Sequence, residues 1–255
     1  MSSLTHTWPK VSFDFSGCRV LVTGGSGGIG LGIASAFAAA GAAVTVTGRR
    51  AAAGDYETDL SVFDYHQLEL SDAAAGDALA GAVGELDVLV NNAGVVMPGG
   101  RDEYVADVFE QALRINLVGA FSLAMAFHAK LAQSHVEGGA SVINMASMAS
   151  YFGITMVPGY GAAKAGVVQM TKTLGAAWAT QGVRVNAIAP GHISSAMTAP
   201  LEANESMSKP ILERTPMSRW GKPRDVAGVA LFLASPAAAF ITGQTIPVDG
   251  GYSIA

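Results

Sequence analysis

The sequence predicts an α/β fold in which helices cover both faces of a doubly wound parallel sheet. Short β-branched runs alternate with longer alanine-rich stretches along the chain, which is the pattern of repeated βαβ units. Hydrophobic residues make up 50% of the 255 residues, and charged residues only 14%. This composition supplies one sizeable core and is incompatible with a disordered chain.

Seven short runs of β-branched and apolar residues are predicted to be strands, because turn-forming residues or helical stretches bound each of them. Since strands that alternate with helices pair in parallel, we expect all seven in one sheet. In chain order they cover residues 19–23, 43–47, 65–70, 88–91, 141–145, 184–188 and 245–248.

Five longer stretches between these strands are predicted to be helices. Pro223 suits the first turn of the last one. The connection at 51–63 contains Gly54 and Asp55 and has no full helical pattern, so we expect a short or irregular crossover there. The predicted helices cover residues 29–40, 72–83, 103–133, 160–180 and 223–234.

Charge and hydropathy exclude two classes of protein. The chain has 15 Lys and Arg against 20 Asp and Glu, a net charge of −5, and no basic cluster longer than Arg49–Arg50. A nucleic-acid partner is therefore not expected. The uncharged run 20–48 is long enough to span a bilayer, but a strand, a glycine turn and a buried helix explain it better. No membrane association is predicted.

The single cysteine, Cys18, cannot form an intrachain disulfide, which favours a reducing, cytoplasmic compartment. The Cys and His spacing is not that of a metal site, so no metal is expected. We predict one domain over residues 18–255, preceded by an extension over 1–17 that lacks the features of a signal peptide. A substrate lid is predicted at about residues 192–220, a long stretch that three prolines interrupt.

A glycine-rich turn, residues 23–30, lies between the first strand and the first helix. Because glycine has no Cβ, a pyrophosphate can approach the backbone N–H groups at the helix N-terminus. A tight turn without a ligand would have a similar composition, and both interpretations stay open at this point. The candidate cofactor contacts in the turn are Gly24, Ser26, Gly28, Ile29 and Gly30.

A second polar segment, Asn91-Asn92-Ala93-Gly94, follows the fourth strand. Ligands of open α/β sheets bind beyond the carboxyl ends of the strands, so Asn92, Ala93 and Gly94 are further candidate cofactor contacts. Alternatively, the two asparagines only satisfy backbone groups of a turn. The segment alone does not decide between these interpretations.

The strongest chemical signal combines Ser147, Tyr160 and Lys164. Tyr160 and Lys164 are four residues apart and share one helix face. A nearby cation favours the ionised form of a phenol, so Tyr160 is a candidate acid/base. Ser147 is a candidate for polarising a carbonyl, and Asn116, a poor helix former within a predicted helix, for holding a proton-conducting water.

Taken together, these motifs resemble the short-chain dehydrogenase/reductase family, with coverage from about residue 18 to 252. The resemblance implies a single-domain Rossmann fold, a catalytic tetrad of Asn116, Ser147, Tyr160 and Lys164, and a homotetramer or homodimer built on the long helices. It also implies cofactor contacts by Tyr160 and Lys164. The remaining matches are Asn186, Pro190-Gly191 and the closing Asp249-Gly250-Gly251.

The resemblance implies hydride transfer between a nicotinamide and a secondary alcohol or ketone. The acidic residue that selects NAD in this family is absent, because Gly48 is found at its position. Gly48 is expected to leave space for a 2′-phosphate, which Arg49 can bind. NADP is therefore preferred and NAD is the alternative. Further contacts implied by the resemblance are Glu69 and Leu70 near adenine, and Pro190, Gly191, Ile193 and Ser195 near the nicotinamide and pyrophosphate.

The substrate is a small molecule whose identity the sequence leaves open. Apolar side chains around the predicted lid suit a medium-sized hydrophobic alcohol or ketone, or pack the lid or a subunit contact instead. Arg101, Lys209 and Arg214 are the cations that can reach an acidic substrate. Two other functions remain alternatives: a catalytically silent dinucleotide sensor or scaffold, and epimerisation or dehalogenation-type chemistry on the same fold.

Overall fold

Seven parallel strands form one sheet in the computed structural model, which describes residues 12–72 and 74–255. The strand order is β3-β2-β1-β4-β5-β6-β7, so the chain changes direction across the sheet between β1 and β4. This order confirms the predicted fold class. The strands are β1 (Arg19–Val22), β2 (Ala43–Gly48), β3 (Asp64–Gln67), β4 (Val88–Asn91), β5 (Ala140–Met145), β6 (Val183–Pro190) and β7 (Thr245–Val248).

Eight α-helices occur in the described residues, and those packed on the sheet lie on both of its faces. They are α1 (Gly28–Ala39), α2 (Ala75–Ala82), α3 (Ala106–Leu113), α4 (Gly119–Ala132), α5 (Pro158–Trp178), α6 (Ala199–Ala203), α7 (Glu205–Arg214) and α8 (Pro223–Ala234). The long connection after β2 contains only one short 3₁₀ turn, Ala53–Asp55, which confirms the irregular crossover predicted there.

The two faces of the sheet bury separate hydrophobic clusters. In β1, Val20 and Val22 belong to the cluster with α1 and α8, whereas Leu21 belongs to the cluster with α2, α4 and α5. Successive side chains of a strand point to opposite faces, so a strand covered on both sides needs apolar residues at every position. This requirement explains the continuous apolar runs in the sequence.

The predicted end of β3 was wrong, and the core includes a residue of the predicted N-terminal extension. Strand β3 ends at Gln67 rather than at residue 70, because Glu69 Oε1 accepts hydrogen bonds from the backbone N–H and the hydroxyl of Ser71 and closes a turn. Glu69 and Leu70 therefore lie beyond the strand. The predicted extension 1–17 falls largely outside the described residues, but Phe15 is buried against Phe37 with ring centroids 4.9 Å apart, so the core begins before residue 18.

The single helix predicted for residues 103–133 is α3 and α4 joined by a π-helical turn, Arg114–Val118. This combined stretch, Ala106–Ala132, is the one described segment long and apolar enough to cross a membrane. Packing explains its composition, since Leu123, Phe127 and Leu131 are buried in the cluster beneath the sheet.

The segment predicted as a lid contains two helices that the sequence pattern did not reveal. Helix α7 includes Pro210, a residue that normally ends helices because it lacks the N–H donor. The Asn204 side chain caps α7 by accepting a hydrogen bond from Ser206 N at 3.1 Å, which compensates part of this loss.

Phe37 and Phe240 provide a test of the core. The Phe37 ring is fully buried, whereas Phe240 is fully exposed. We expect Phe37→Ala to lower the free energy of unfolding by about 3 to 5 kcal/mol, because the change removes apolar contacts and leaves a cavity. Phe240→Ala is the matched control and leaves stability unchanged. Urea unfolding followed by circular dichroism measures both; equal effects would contradict the packing described here.

Candidate active site

The glycine turn lies at the carboxyl edge of the sheet, between β1 and α1. Gly24 and Gly28 have φ angles of +65° and +53°, which side chains rarely adopt. A Cβ at Gly30 would overlap with the carbonyl oxygen of Gly24. Helix α1 begins after Gly27 without a side-chain cap and without an acidic residue in its first turn, so its backbone N–H groups fit an anionic pyrophosphate.

The side chains of the two asparagines that follow β4 form hydrogen bonds within the protein. Asn92 Nδ2 donates to the carbonyl oxygen of Thr23 at 2.9 Å, and Asn91 Nδ2 donates to Asn144 Oδ1 at 3.0 Å. The Thr23 hydroxyl accepts from the backbone N–H groups of Asn92 and Ala93, both at 3.0 Å. These bonds favour the structural interpretation of both asparagine side chains and leave Ala93 beside Gly24 of the glycine turn.

Ser147, Tyr160 and Lys164 come together at the same edge of the sheet. Ser147 follows β5 and lies close enough to the Tyr160 side chain to affect the pKa of its phenol, while Lys164 lies one turn further along α5. Lys164 Nζ is 5.5 Å from the centre of the Tyr160 ring and donates to the carbonyl oxygen of Met145 at 2.6 Å. The structure thus brings the predicted serine, phenol and ammonium together.

The predicted direction of the Tyr160 pKa was wrong. Burial raises the pKa of Tyr160, the neighbouring Ser147 hydroxyl lowers it in part, and the charge of Glu103 raises it again. Burial also lowers the pKa of Lys164 to about 8, since the residue is only 4% exposed and its ammonium has a carbonyl rather than a carboxylate as its partner. Desolvation therefore outweighs the attraction between the two groups.

Asn116 lies in the π turn between α3 and α4 and is buried. Its Nδ2 donates to the carbonyl oxygens of Val95 and Ala112, and its Oδ1 accepts from Val95 N at 2.9 Å. The side chain thus holds the segment after β4 rather than offering both of its donors to water. A Cβ at Gly94 would lie 2.7 Å from this Oδ1 and 3.5 Å from Lys164 Nζ, so glycine is needed for the close approach.

Glu103 is a fully buried carboxylate that the sequence analysis did not single out. Its Oε2 accepts from Tyr160 N and its Oε1 from Met97 N, both at 2.8 Å. A negative charge at a helix N-terminus is favourable, and here it connects the first turn of α5 to the loop after β4. Its partners are backbone groups distant in sequence, so no local motif could have identified it.

The segment after β6, which holds predicted cofactor contacts, approaches the glycine turn. A Cβ at Gly28 would lie 3.3 Å from Ser195 Cβ, and Ser195 Oγ lies 3.1 Å from Thr198 Oγ1. Ile193 is buried and pairs with Gly221. Pro190 ends β6, and a Cβ at Gly191 would be 2.7 Å from Asp249 Cα.

The expectation of open space beside Gly48 was wrong. A Cβ at Gly48 would overlap with the Tyr56 hydroxyl and lie 2.9 Å from Tyr56 Cζ. The Tyr56 side chain therefore fills the space beside Gly48. Arg49 is exposed, and its side chain forms no hydrogen bond or ion pair within residues 12–72 and 74–255. Nothing in the sequence indicated that Tyr56 returns to the end of β2.

A glycine turn at a helix N-terminus and a Ser-Tyr-Lys group at the same sheet edge are typical of nucleotide-dependent oxidoreductases of the Rossmann class. A family model described as enoyl-(acyl carrier protein) reductase matches residues 24–253. The chain belongs to the short-chain dehydrogenase/reductase family. It is an NAD(P)-dependent oxidoreductase that acts on a secondary alcohol or the corresponding ketone.

Three relatives illustrate the similarity. The chain is 36% identical over 250 residues to the 2-dehydro-3-deoxy-D-gluconate 5-dehydrogenase of Bacillus subtilis, covering 94% of this chain and 96% of the relative. A candidate 2-deoxy-D-gluconate 3-dehydrogenase from Agrobacterium tumefaciens, solved with bound NADP, has a TM-score of 0.86 at 36% identity and covers 96% and 100% of the two chains.

The third relative is the gluconate 5-dehydrogenase of Burkholderia cenocepacia, solved with NADP and tartrate. It has a TM-score of 0.85 at 31% identity and covers 95% of this chain and 98% of its own. All three relatives are described as dehydrogenases, and nothing supports the alternative of a catalytically silent sensor.

Glu103→Ala tests the anchor of α5. The change leaves the N–H groups of Met97 and Tyr160 without an acceptor, so we expect a loss of about 2 to 4 kcal/mol in the free energy of unfolding. Glu110→Ala, an exposed change on α3, is the control. Urea unfolding gives both values, and a Glu103→Ala variant as stable as the control would rule out the anchor.

Proposed function

We propose that this chain is an NADP(H)-dependent dehydrogenase/reductase in which Tyr160 is the general acid/base. The observation that carries this proposal is the position of the Tyr160 phenol next to Ser147 and beside the buried ammonium of Lys164, whose Nζ is 5.5 Å from the centre of the Tyr160 ring. The nicotinamide, when bound, supplies or accepts the hydride. Tyr160 transfers the proton of the substrate hydroxyl, Ser147 orients the substrate oxygen, and Lys164 holds the cofactor ribose, while Asn116 positions the adjoining loop.

The preference for NADP(H) rests on charge at the end of β2. Arg49 presents a guanidinium without a protein partner in the described residues, and guanidinium groups bind phosphate through paired hydrogen bonds. No acidic residue follows β2 directly, and two relatives were solved with NADP. The pyrophosphate is assigned to the glycine turn and to Ser195, and the adenine to the turn around Leu70.

Tyr160→Phe tests the acid/base assignment. Removing the hydroxyl leaves no group to transfer the proton, so we expect kcat to fall by at least about a hundredfold while nucleotide affinity stays unchanged. Tyr104→Phe, a change at a tyrosine that is 70% exposed and has no role in the proposed site, is the control and retains full turnover. Nicotinamide absorbance gives the rates and fluorescence titration the affinity; wild-type turnover by the Tyr160→Phe variant would refute the assignment.

The substrate class is indicated by Arg214 in the predicted lid. Its guanidinium lies 4.3 Å from the centre of the Tyr252 ring and 4.6 Å from that of Phe152. Stacking uses the faces of the guanidinium and leaves the N–H groups at its edge free; one of them reaches Tyr252 Oη at 3.5 Å. This half-buried cation has no carboxylate partner in the described part of the chain.

Arg214 is connected to the reacting groups through its neighbours. Phe152 follows Ser147 by five residues, and His192, directly after Gly191, packs against Tyr252 with ring centroids 5.1 Å apart. A fixed arginine next to a carbonyl-reducing site suits a carboxylate. Because the relatives are described as dehydrogenases of gluconate-type sugar acids, we assign a polyhydroxylated acid as the substrate class.

A hydrophobic alcohol or ketone is the second candidate substrate. Tyr151, Met156, Met197 and Met207 are between 40% and 56% exposed, although all four are apolar or aromatic. Flexible thioethers adapt to apolar ligands of many shapes. A panel of sugar acids, alditols and hydrophobic ketones, assayed with both cofactors, distinguishes the two candidates.

Arg214→Gln tests the acidic substrate class. We expect the KM for a sugar-acid substrate to rise about ten- to a hundredfold, because a charge-assisted hydrogen bond to the carboxylate is lost. The KM for an uncharged alditol or ketone stays within a factor of two or so of the wild type. Lys209→Gln, at an exposed position on the same helix, is the control. An equal effect on charged and uncharged substrates would exclude carboxylate recognition.

Assembly, lid movement and cellular location remain predictions. Val118, Phe121 and Met125 are exposed on the outer side of α4 and the preceding turn, which supports the proposed homotetramer or homodimer through the long helices. Helices α6 and α7 carry Arg214 and the apolar residues Met207 and Ile211, which supports their role as a lid over the substrate. A cytoplasmic location remains consistent with the single cysteine.

A further inference from the structure

The Tyr56 hydroxyl occupies the place of the side chain that Gly48 lacks. A Cβ at Gly48 would overlap with Tyr56 Oη and lie 3.0 Å from Tyr65 Oη. In dinucleotide-binding folds, an acidic residue near the end of the second strand hydrogen-bonds the ribose 2′-hydroxyl. The phenol oxygen of Tyr56 thus lies about where the carboxylate of an aspartate at position 48 would begin.

The Tyr56 oxygen accepts a hydrogen bond from the protein backbone. Arg50 N donates to it at 3.0 Å, whereas Tyr65 Oη lies 3.4 Å away. Burial raises the pKa of Tyr56, but the contacts with Arg50, Tyr65 and Ser26 lower it overall. The acceptors near the Tyr56 hydroxyl hydrogen in the described residues are other hydroxyls rather than a carbonyl or carboxylate, so an anionic phosphate oxygen of a bound nucleotide is the stronger acceptor for it.

Two contacts hold the Tyr56 ring in this position. The Arg50 guanidinium lies over the ring at 4.9 Å from its centre, and the Tyr65 ring packs beside it at 5.8 Å. Tyr65 donates its own hydrogen to the carbonyl oxygen of Arg50 at 2.5 Å, so the Tyr65 hydroxyl is committed to the protein. The two neighbouring tyrosines therefore differ in the group to which each can donate.

We propose that Tyr56 is a specificity-determining residue that donates a hydrogen bond to the 2′-phosphate of NADP(H), while Arg49 supplies the positive charge. This inference rests on the proposed NADP(H) preference. A neutral phenol can donate to a phosphate, whereas a carboxylate in the same place repels it. Gly48 contributes indirectly, because any larger residue there would displace the phenol.

The test uses nucleotides without a nicotinamide, so that it does not depend on the catalytic groups. The probes are 2′,5′-ADP, which carries the 2′-phosphate, and 5′-AMP, which lacks it; isothermal titration calorimetry gives both affinities. For Tyr56→Phe we expect 2′,5′-ADP to bind about tenfold more weakly, since a charge-assisted hydrogen bond is lost. The affinity for 5′-AMP is expected to stay unchanged.

Tyr65→Phe is the matched control, because it removes the neighbouring hydroxyl but no donor to the nucleotide. Both variants keep the aromatic rings, and circular dichroism verifies that both are folded. We expect Tyr65→Phe to leave the ratio of the two affinities at the wild-type value. If Tyr56→Phe leaves this ratio unchanged, or if Tyr65→Phe lowers it equally, the inference is overturned.

A third variant separates this inference from the cofactor proposal. Arg49→Ala removes the charge but not the phenol, and it is expected to weaken 2′,5′-ADP binding selectively as well. Wild-type protein that binds 5′-AMP as tightly as 2′,5′-ADP would refute the NADP(H) preference itself. Wild-type preference for 2′,5′-ADP that depends on Arg49 but not on Tyr56 would refute only the role of Tyr56.

Discussion

The site depends on the connection between the ends of β1 and β4, where the strand order reverses. The Thr23 hydroxyl accepts hydrogen bonds from two backbone N–H groups of the segment after β4, and the Asn92 side chain donates a hydrogen bond to the carbonyl oxygen of Thr23. The glycine turn lies on one side of this connection, and Gly94, next to Asn116 and Lys164, lies on the other. Buried hydrogen bonds of this kind are costly to break. They therefore fix the position of the glycine turn relative to the catalytic candidates around Lys164.

Burial moves the proton affinities of Tyr160 and Lys164 apart. The pKa of the phenol is raised and that of the ammonium is lowered to about 8, both because desolvation disfavours the charged form. The ammonium form of Lys164 is present below about pH 8 and is lost above it. The Tyr160 phenol thus keeps its proton in the neutral range, in the state that can donate to a substrate oxygen.

The sequence predicted those features that depend on local periodicity. Strands covered on both faces must be apolar, which made the central strands recognisable, and the spacing of Tyr160 and Lys164 follows from the helix repeat. Glu103 escaped prediction because Tyr160 N lies 57 residues further along the chain, and Tyr56 because it returns to the end of β2 through an irregular connection. The π turn at Asn116 and the helix through Pro210 depend on tertiary hydrogen bonds that override local propensity. Local patterns therefore gave the framework, whereas long-range contacts determined the site.

Two arginines at opposite ends of the site require an explanation in a chain with a net charge of −5. Carboxylates outnumber cations: Arg19 pairs with both Glu85 and Asp87, and Arg101 and Arg219 each pair with one carboxylate. Arg49 at the nucleotide end and Arg214 beside the substrate have no such partner in the described residues. Arg214 is also half-buried, and a desolvated cation without a counter-ion is unfavourable unless an anion arrives with a ligand. The charge distribution thus favours two anionic ligand groups. The proposed 2′-phosphate of the cofactor would lie at one end of the site and the proposed carboxylate of the substrate at the other.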